Sequence, residues 1–475
     1  MNNLSVALIS SECVPFVKTG GMADVIQALA KELAGSGVRT AVFLPYYRKI
    51  RESFEVRDLN LRTSIRIGTQ YKEASFLETR LPGTEVPVYL VRNDLYFNRN
   101  DLYGEKGIDY PDNLERFLLF NKAVLNFILL TEMKVDLIHC NDWQTALLPA
   151  FIRLVYYEAL LKKIKVLLTI HNLSYQGLFP LNEYSKLNLS WEYFTYDKFE
   201  YYSEMNLLKA GIVFSDAIST VSRTYKEELL ADESVSQGLT QVLRSRANRF
   251  YGILNGVDYS LWHPENYSAE DLEGKRKFKI DLLNKAGLGS EKKPLLVMVS
   301  RLVDMKGFDI LIPVLNEILK EDVNLMILGQ GDPVIEKALL KVEKANKNFK
   351  LYLEFNEKLA RQMQSGGDIF LMPSRVEPCG LNQLYALRYG TVPLVHRTGG
   401  LADTVTDIQK EKVNGTGFVF YQYHPSALLE TIRKALLLFQ NKQEWARVQA
   451  NGMKQDFSWG KSSKEYLELY HKICV

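Results

Sequence analysis

The sequence predicts an α/β protein built from two doubly wound parallel domains. Three observations carry this. The chain has 475 residues, more than one ordinary hydrophobic core organises. Short runs rich in Val, Ile and Leu alternate with longer amphipathic stretches. The runs show little strict apolar–polar alternation, the pattern of strands buried on both faces of a parallel sheet.

In chain order, the first-half strands are "LSVALIS", "VRTAVFL", "VPVYLV", "VDLIHC", "KVLLTI", "DAISTV" and "FYGILN". The second-half strands are "PLLVMVS", "NLMILG", "KLYLEF", "DIFLMP", "TVPLVH" and "GFVF". Helical patterns separate them, among them "KGFDILIPVLNEILK", "LNQLYALRYG" and "PSALLETIRKALLLF". Such β-α repetition builds doubly wound sheets. The polar stretch 255–283 divides the halves and places a hinge near Asn255 to Asp258. The expected domains are 1–255 and 256–455, followed by a turn and a terminal helix in 456–475.

Composition narrows the function. Hydrophobic residues make 47% and charged residues 24% of the chain, as in globular proteins. Fifty-nine basic against 56 acidic residues leave +3, which gives no electrostatic case for nucleic acid or an anionic membrane. The six histidines show no zinc-ligand spacing, so no metal is expected. Cys13, Cys140, Cys379 and Cys474 make no disulfide framework, and a cytoplasmic location is expected. "LSVALIS" is too short to cross a bilayer, and no secretory signal is expected.

T-G-G-x-A-D occurs twice, in "KTGGMADV" and "RTGGLADTV". In each, a strand leads through the glycines into a helix. Glycine permits close approach of a ligand, and helix N-terminal N–H groups attract anions. As a pair with basic flanks, the loops point to phosphate: Lys18, Gly20 and Gly21 in the first, Thr398, Gly399 and Gly400 in the second. The second helix is expected over "LADTVTDI". "GQGDPV" lacks the third glycine of the dinucleotide fingerprint and no P-loop occurs, which disfavours nicotinamide enzymes and P-loop NTPases.

Other candidates also end strands. "VSRLVDMKGFD" sets Arg301 and Lys306 there, two cations suited to phosphate. "MPSRVEPCGLNQ" sets Glu377 and Cys379 before a helix. Glu377 either caps that helix or meets a ligand; Cys379 either packs or lines a site. "HCNDWQ" and "TIHNLS" offer Asp142 and His171. "LYGEKGIDYPDN" clusters Tyr103, Tyr110, Asp112 and Asn113, a mixture that suits a sugar and equally a surface loop.

Together these segments resemble bacterial glycogen synthases and plant starch synthases, retaining glycosyltransferases of the GT-B fold. The matching stretches, in family order, are "KTGGMADV", "YPDNLERF", "NDWQTALLP", "TIHNLSYQG", "LNGVD", "SRLVDMKGFD", "PSRVEPCGLNQLYALRYGTVPLV", "RTGGLADTV" and "DFSWGKSSKEYLELY". The resemblance implies two Rossmann-like domains facing across a deep cleft, closing on the donor. It implies transfer of glucose from ADP-glucose to the non-reducing end of an α-1,4-glucan, without a cofactor. The alternatives are a UDP-glucose enzyme, another acceptor, or a non-catalytic glucan-binding homologue.

By the same resemblance, Lys18, Gly20 and Gly21 belong to the donor site, and Arg301 and Lys306 neutralise the distal phosphate. His171 and Asp142 contact the glucosyl unit, with Asn255 near it. Glu377 holds sugar hydroxyls by the anomeric carbon, with Cys379, Gly380 and Leu381 beside it. Thr398, Gly399 and Gly400 approach from the other side, and Tyr103 lines the donor or acceptor region. The final helix crosses back to the first domain. Asn141 stands where the family has histidine, Met305 where many members have glutamine, and Val376 where phenylalanine is usual.

Overall fold

The computed structural model describes residues 4–105 and 107–474. The chain divides into two compact units: Met1–Val221 with Lys226–Gly256 and Trp459–Val475, and Ser222–Tyr225 with Val257–Ser458.

The first unit holds nine strands in one sheet: β1 (Ser5–Ile9), β2 (Arg39–Pro45), β3 (Arg57–Ile67), β4 (Gln70–Arg80), β5 (Pro87–Arg92), β6 (Leu137–Asn141), β7 (Lys165–Ile170), β8 (Ala217–Thr220) and β9 (Phe250–Gly252). Their order is β9-β8-β7-β6-β1-β2-β5-β4-β3. Pairing is parallel from β9 to β5. The β3–β4 and β4–β5 pairs are antiparallel. This edge hairpin departs from the expected all-parallel sheet. Its strand β3 is mostly exposed or half-buried, so polar residues interrupt its apolar signal.

The chain leaves β1 toward β2 on one side, while β6 lies on the other, with Ile9 beside Cys140. Connections therefore diverge between β1 and β6, where open α/β sheets bind ligands at the strands' carboxyl ends. Helix α1 (Gly21–Gly35) begins on that edge, and its buried Val25, Ile26 and Leu29 seat it on the unit. Helix α2 (Asn113–Leu130) lies after the "YPDN" turn. The C-terminal helix Trp459–Cys474 belongs to this unit, and Tyr470 Oη lies 2.8 Å from His139 Nδ1 of β6.

The second unit holds β10 (Leu295–Val299), β11 (Asn324–Leu328), β12 (Phe349–Tyr352), β13 (Ile369–Met372), β14 (Val392–His396) and β15 (Phe418–Phe420). All pair in parallel, in the order β12-β11-β10-β13-β14-β15. Leu296 and Met298 enter one buried cluster while Leu295 and Val297 enter another, so both faces of β10 are covered. Burying one such side chain fully contributes about 1.5–3 kcal/mol. Divergence here falls between β10 and β13. Helices α3 (Asn382–Arg388) and α4 (Gly399–Thr404) follow β13 and β14. Helix α4 ends at Thr404, four residues before the end of the expected helix. Val405 turns extended and Ile408 N–H bonds Gly417 O at 2.9 Å, as suits the β-branched run Thr404–Thr406. Among the described residues, no helix is long and apolar enough to cross a membrane.

Candidate active site

Each unit gathers polar groups where its connections diverge. In the second unit, the turn Asp304–Lys306 after β10 nests against the segment after β13. Arg375 N–H donates to Met305 O at 2.9 Å, and Gly307 adopts φ 83° beside Pro373, where a Cβ would fall 2.0 Å from the carbonyl oxygen. This close approach brings Lys306 Nζ to 2.5 Å from Glu377 Oε2. Ser374 Oγ donates to the same oxygen at 3.0 Å. Glu377 is only 6% exposed, so the pair is fixed rather than a mobile surface contact. Glu377 thus does not simply cap α3. Arg301 is exposed, and its guanidinium makes no ion pair or hydrogen bond among the described residues. A fixed carboxylate, a half-buried ammonium and an available guanidinium therefore share one edge.

The two glycine loops, alike in sequence, differ in structure. In the second, Gly400 N–H donates to Glu377 O and Pro378 O, both at 3.1 Å. A Cβ on Gly400 would stand 2.0 Å from Cys379 O, and Gly399 has φ 41° with Glu377 O just as close. These glycines let the loop pack onto the Glu377–Cys379 turn. Gly400 N–H is thereby engaged by carbonyls of that turn. Thr398 is buried behind them and Cys379 is buried in the same turn. Gly380, at φ 70°, and Leu381 lead into α3, where Gln383 Nε2 donates to Cys379 O at 2.9 Å.

In the first loop the backbone is extended at Gly20, with φ −148°, and a Cβ there would meet nothing within 4 Å. Gly21 opens α1 and is exposed. Lys18 pairs with Asp24 at 2.8 Å. The loop is braced by Glu12, which sequence reasoning missed. Its carboxylate is 3% exposed. Glu12 Oε2 accepts from Thr19 N–H, and from Gly20 N–H at 3.2 Å; Oε1 accepts from Thr19 Oγ1 and from Tyr103 Oη, both at 2.6 Å. Gly20 N–H therefore already meets a carboxylate of the chain itself. The one signal in the sequence was an acidic residue inside the otherwise uncharged "SSECVPFV".

This geometry predicts opposite behaviour for the two loops. Gly400→Ala is expected to destabilise the fold by about 1–3 kcal/mol through overpacking. Gly20→Ala should leave thermal unfolding unchanged and raise the KM for the donor about tenfold. Equal melting shifts in the two variants would contradict the contrast.

Tyr103 is held by its bonds to Glu12 and Ser11, the latter at 2.7 Å, so it supports the loop from behind. The "YPDN" cluster is likewise knit inward. Buried Arg116 donates to Tyr96 O and Leu102 O at 2.8 Å and to Asn113 Oδ1 at 2.5 Å, while Arg99 pairs with Asp112 and lies over Tyr110. These bonds give the cluster a structural role.

Asp142 and His171 meet at the ends of β6 and β7. Asp142 is buried with φ 57°, an uncommon backbone for a non-glycine residue and one that clusters at functional sites. Its Oδ1 accepts from His171 N–H at 2.7 Å. Burial pushes its carboxyl up to about 7, against the pull of backbone N–H groups of His171 and Asn172. Asn141 Nδ2 donates to Ile9 O and His139 O, which turns Oδ1 toward His171 Nε2 at 2.9 Å. Nε2 must then carry the proton, leaving Nδ1 as an acceptor. The departure at Asn141 is thus accommodated by a direct bond. Asn255, beyond β9, is buried, and its Oδ1 has no hydrogen-bond partner among the described residues. A buried acceptor left this way marks a place for a ligand or water.

Burial pushes the His171 imidazole down to about 3. It therefore stays neutral through the working range. The kcat profile should show no inflection near pH 6.5 from this group; an inflection there that vanishes in His171→Asn would overturn the assignment.

Residues 5–245 match the family model for the starch synthase catalytic domain, and 281–454 that for glycosyl transferases group 1. The glycogen synthase of Koribacter versatilis is 41% identical, over 99% of this chain and 98% of that protein. The chain belongs to the glycogen and starch synthase family. This synthase is a retaining glycosyltransferase. The glycogen synthase of Thermosipho melanesiensis is 39% identical, over 99% of each chain. The catalytic domain of starch synthase IV from Arabidopsis thaliana, solved with ADP and acarbose, superposes with a TM-score of 0.90 at 29% identity, covering 100% of both chains. Sucrose-phosphate synthase from Thermosynechococcus elongatus shares the fold at a TM-score of 0.62 and 18% identity, over 99% of each chain.

Proposed function

We propose that this synthase transfers glucose from ADP-glucose to the non-reducing end of an α-1,4-glucan, in the cytoplasm. The observation that carries the reading is the Arg301–Lys306–Glu377 group on the carboxyl edge of the second sheet. Breaking the donor's C1–O bond to phosphate builds negative charge on the leaving diphosphate and positive charge on the sugar ring. Lys306 and Arg301 meet the first and Glu377 the second, through electrostatic preorganisation. ADP in the Arabidopsis structure supports adenine as the donor base.

Retaining glycosidases use two carboxylates about 5 Å apart. In the second unit Glu377 is committed to Lys306 and Ser374, so the reading favours front-face substitution. The acceptor O4 bonds to C1 on the face the phosphate leaves, and its proton passes to that phosphate. His171, neutral and with Nδ1 open, orients the glucosyl unit and moves no proton. Lys18, Gly20, Gly21, Asp142 and Asn255 complete the donor contacts, with Cys379, Gly380, Leu381, Thr398, Gly399 and Gly400 beside Glu377. A glucosyl adduct trapped on Glu377 or Asp142 would overturn this route.

The test is incorporation of labelled glucose into glycogen from competing ADP- and UDP-glucose. ADP-glucose should be preferred at least tenfold. Preference for UDP-glucose would reverse the base assignment, and no incorporation from either would remove the reaction.

A further inference from the structure

A second polyhydroxyl site lies in the first unit, around a cavity of about 580 Å³ walled by Tyr196, Tyr201, Tyr202, Gln241, Ser245 and Arg246. We propose that it holds a segment of the glucan chain apart from the residues assigned to transfer. The proposal rests on the glucan acceptor of the reading above.

The tyrosines are displayed at a cost. Tyr202 is 77% exposed and Tyr196 82% exposed. Tyr202 and Ser203 form the turn between Glu200–Tyr201 and Glu204–Asn206, with φ 51° and 69°. A two-residue turn of this hand favours Asn-Gly, and a bulky residue with positive φ is a genuine outlier. Gln237, next to the wall residue Gly238, also has φ 44°, and its carbonyl takes the Tyr201 hydroxyl. Gly238 follows with φ 86°, where a Cβ would fall 2.2 Å from that hydroxyl. Strain gathered around one exposed aromatic group points to use rather than packing.

The platform is rigid. Buried Lys209 donates to Tyr196 O, and to Glu200 O at 2.6 Å, which fixes the loop carrying both rings. A preordered surface loses little freedom on binding. Charges on the wall balance, Asp197 and Glu200 against Lys209 and Arg246, so the cavity suits a neutral ligand over a phosphate or a charged peptide. Arg246 Nε is buried without a partner among the described residues. Tyrosine rings match the apolar C–H faces of glucose, while Gln241, Ser245 and the carboxylates match its hydroxyls. For an enzyme acting on a polymer, a second foothold raises the local concentration of chain ends.

The test is retardation in native gels containing glycogen, for the parent chain and for Tyr196→Ala combined with Tyr202→Asn. Asparagine accepts the left-handed backbone, so the variant removes the rings and keeps the turn. The dissociation constant for glycogen should weaken about tenfold, while turnover on maltotriose, the short acceptor, stays at the parent rate. Equal retardation of parent and variant overturns the site, even with transfer intact. A parent without transferase activity that is retarded, beside a variant that is not, would keep the site and sink the proposed reaction.

Discussion

Lys306→Ala should lower kcat/KM about 10²–10³-fold, the usual loss when one preorganised donor is removed from a developing anion. Two effects add. The ammonium no longer meets the leaving phosphate, and Glu377, only 6% exposed, loses its partner at 2.5 Å. An unpaired buried carboxylate costs about 3–5 kcal/mol when its partner is removed, so the variant should also melt lower. Glu377→Gln separates the two. It removes the charge beside the sugar, keeps a side chain that can bond Ser374, and leaves Lys306 for phosphate. Calorimetric affinity for ADP should therefore fall in Lys306→Ala and hold or rise in Glu377→Gln, while kcat falls in both. The double variant should be little worse than Lys306→Ala alone, because the residues act as one unit. Near-parent rates in both single variants would remove this pair from the site.

The sequence made the two sheets legible because their strands are buried on both faces, which enriches Val, Ile and Leu without a competing period. Arg301, Lys306, Glu377, Asp142 and His171 were legible for a related reason: each follows an apolar run, so each had to emerge at a strand's carboxyl end. What the sequence hid was how loops meet. "KTGGMADV" and "RTGGLADTV" read as one device, yet Glu12 bonds the first loop and the carbonyls of Glu377 and Pro378 bond the second. Both partners lie outside the motif, and no local pattern announces them. The β3–β4 hairpin was missed for the opposite reason. Its exposed face breaks the apolar run by which buried strands are recognised.

Glu12 gives the second large effect, and its direction depends on the replacement. Its two oxygens receive four hydrogen bonds, two from backbone N–H groups and two from hydroxyls. Backbone N–H groups can only donate, whereas the hydroxyls of Thr19 and Tyr103 can turn and accept. Glutamine can therefore place its oxygen on Thr19 and Gly20 and its amide N–H groups on the hydroxyls, satisfying the same network. Leucine removes all four bonds, leaving Tyr103 Oη only its contact with Ser11, and each buried group left unpaired costs about 1–3 kcal/mol. Glu12→Leu should lower the melting temperature and reduce kcat about 100-fold as the loop leaves its position. Such loss from a small displacement is expected where reacting groups are held in place. Glu12→Gln should keep kcat within about threefold and bind the donor at least as tightly, since a negative charge has gone from behind a loop read as facing phosphate. A Glu12→Gln variant as damaged as Glu12→Leu would mean that the charge itself, not the bonding, sets the loop. A Glu12→Leu variant with parent activity would mean that the loop does not touch the donor.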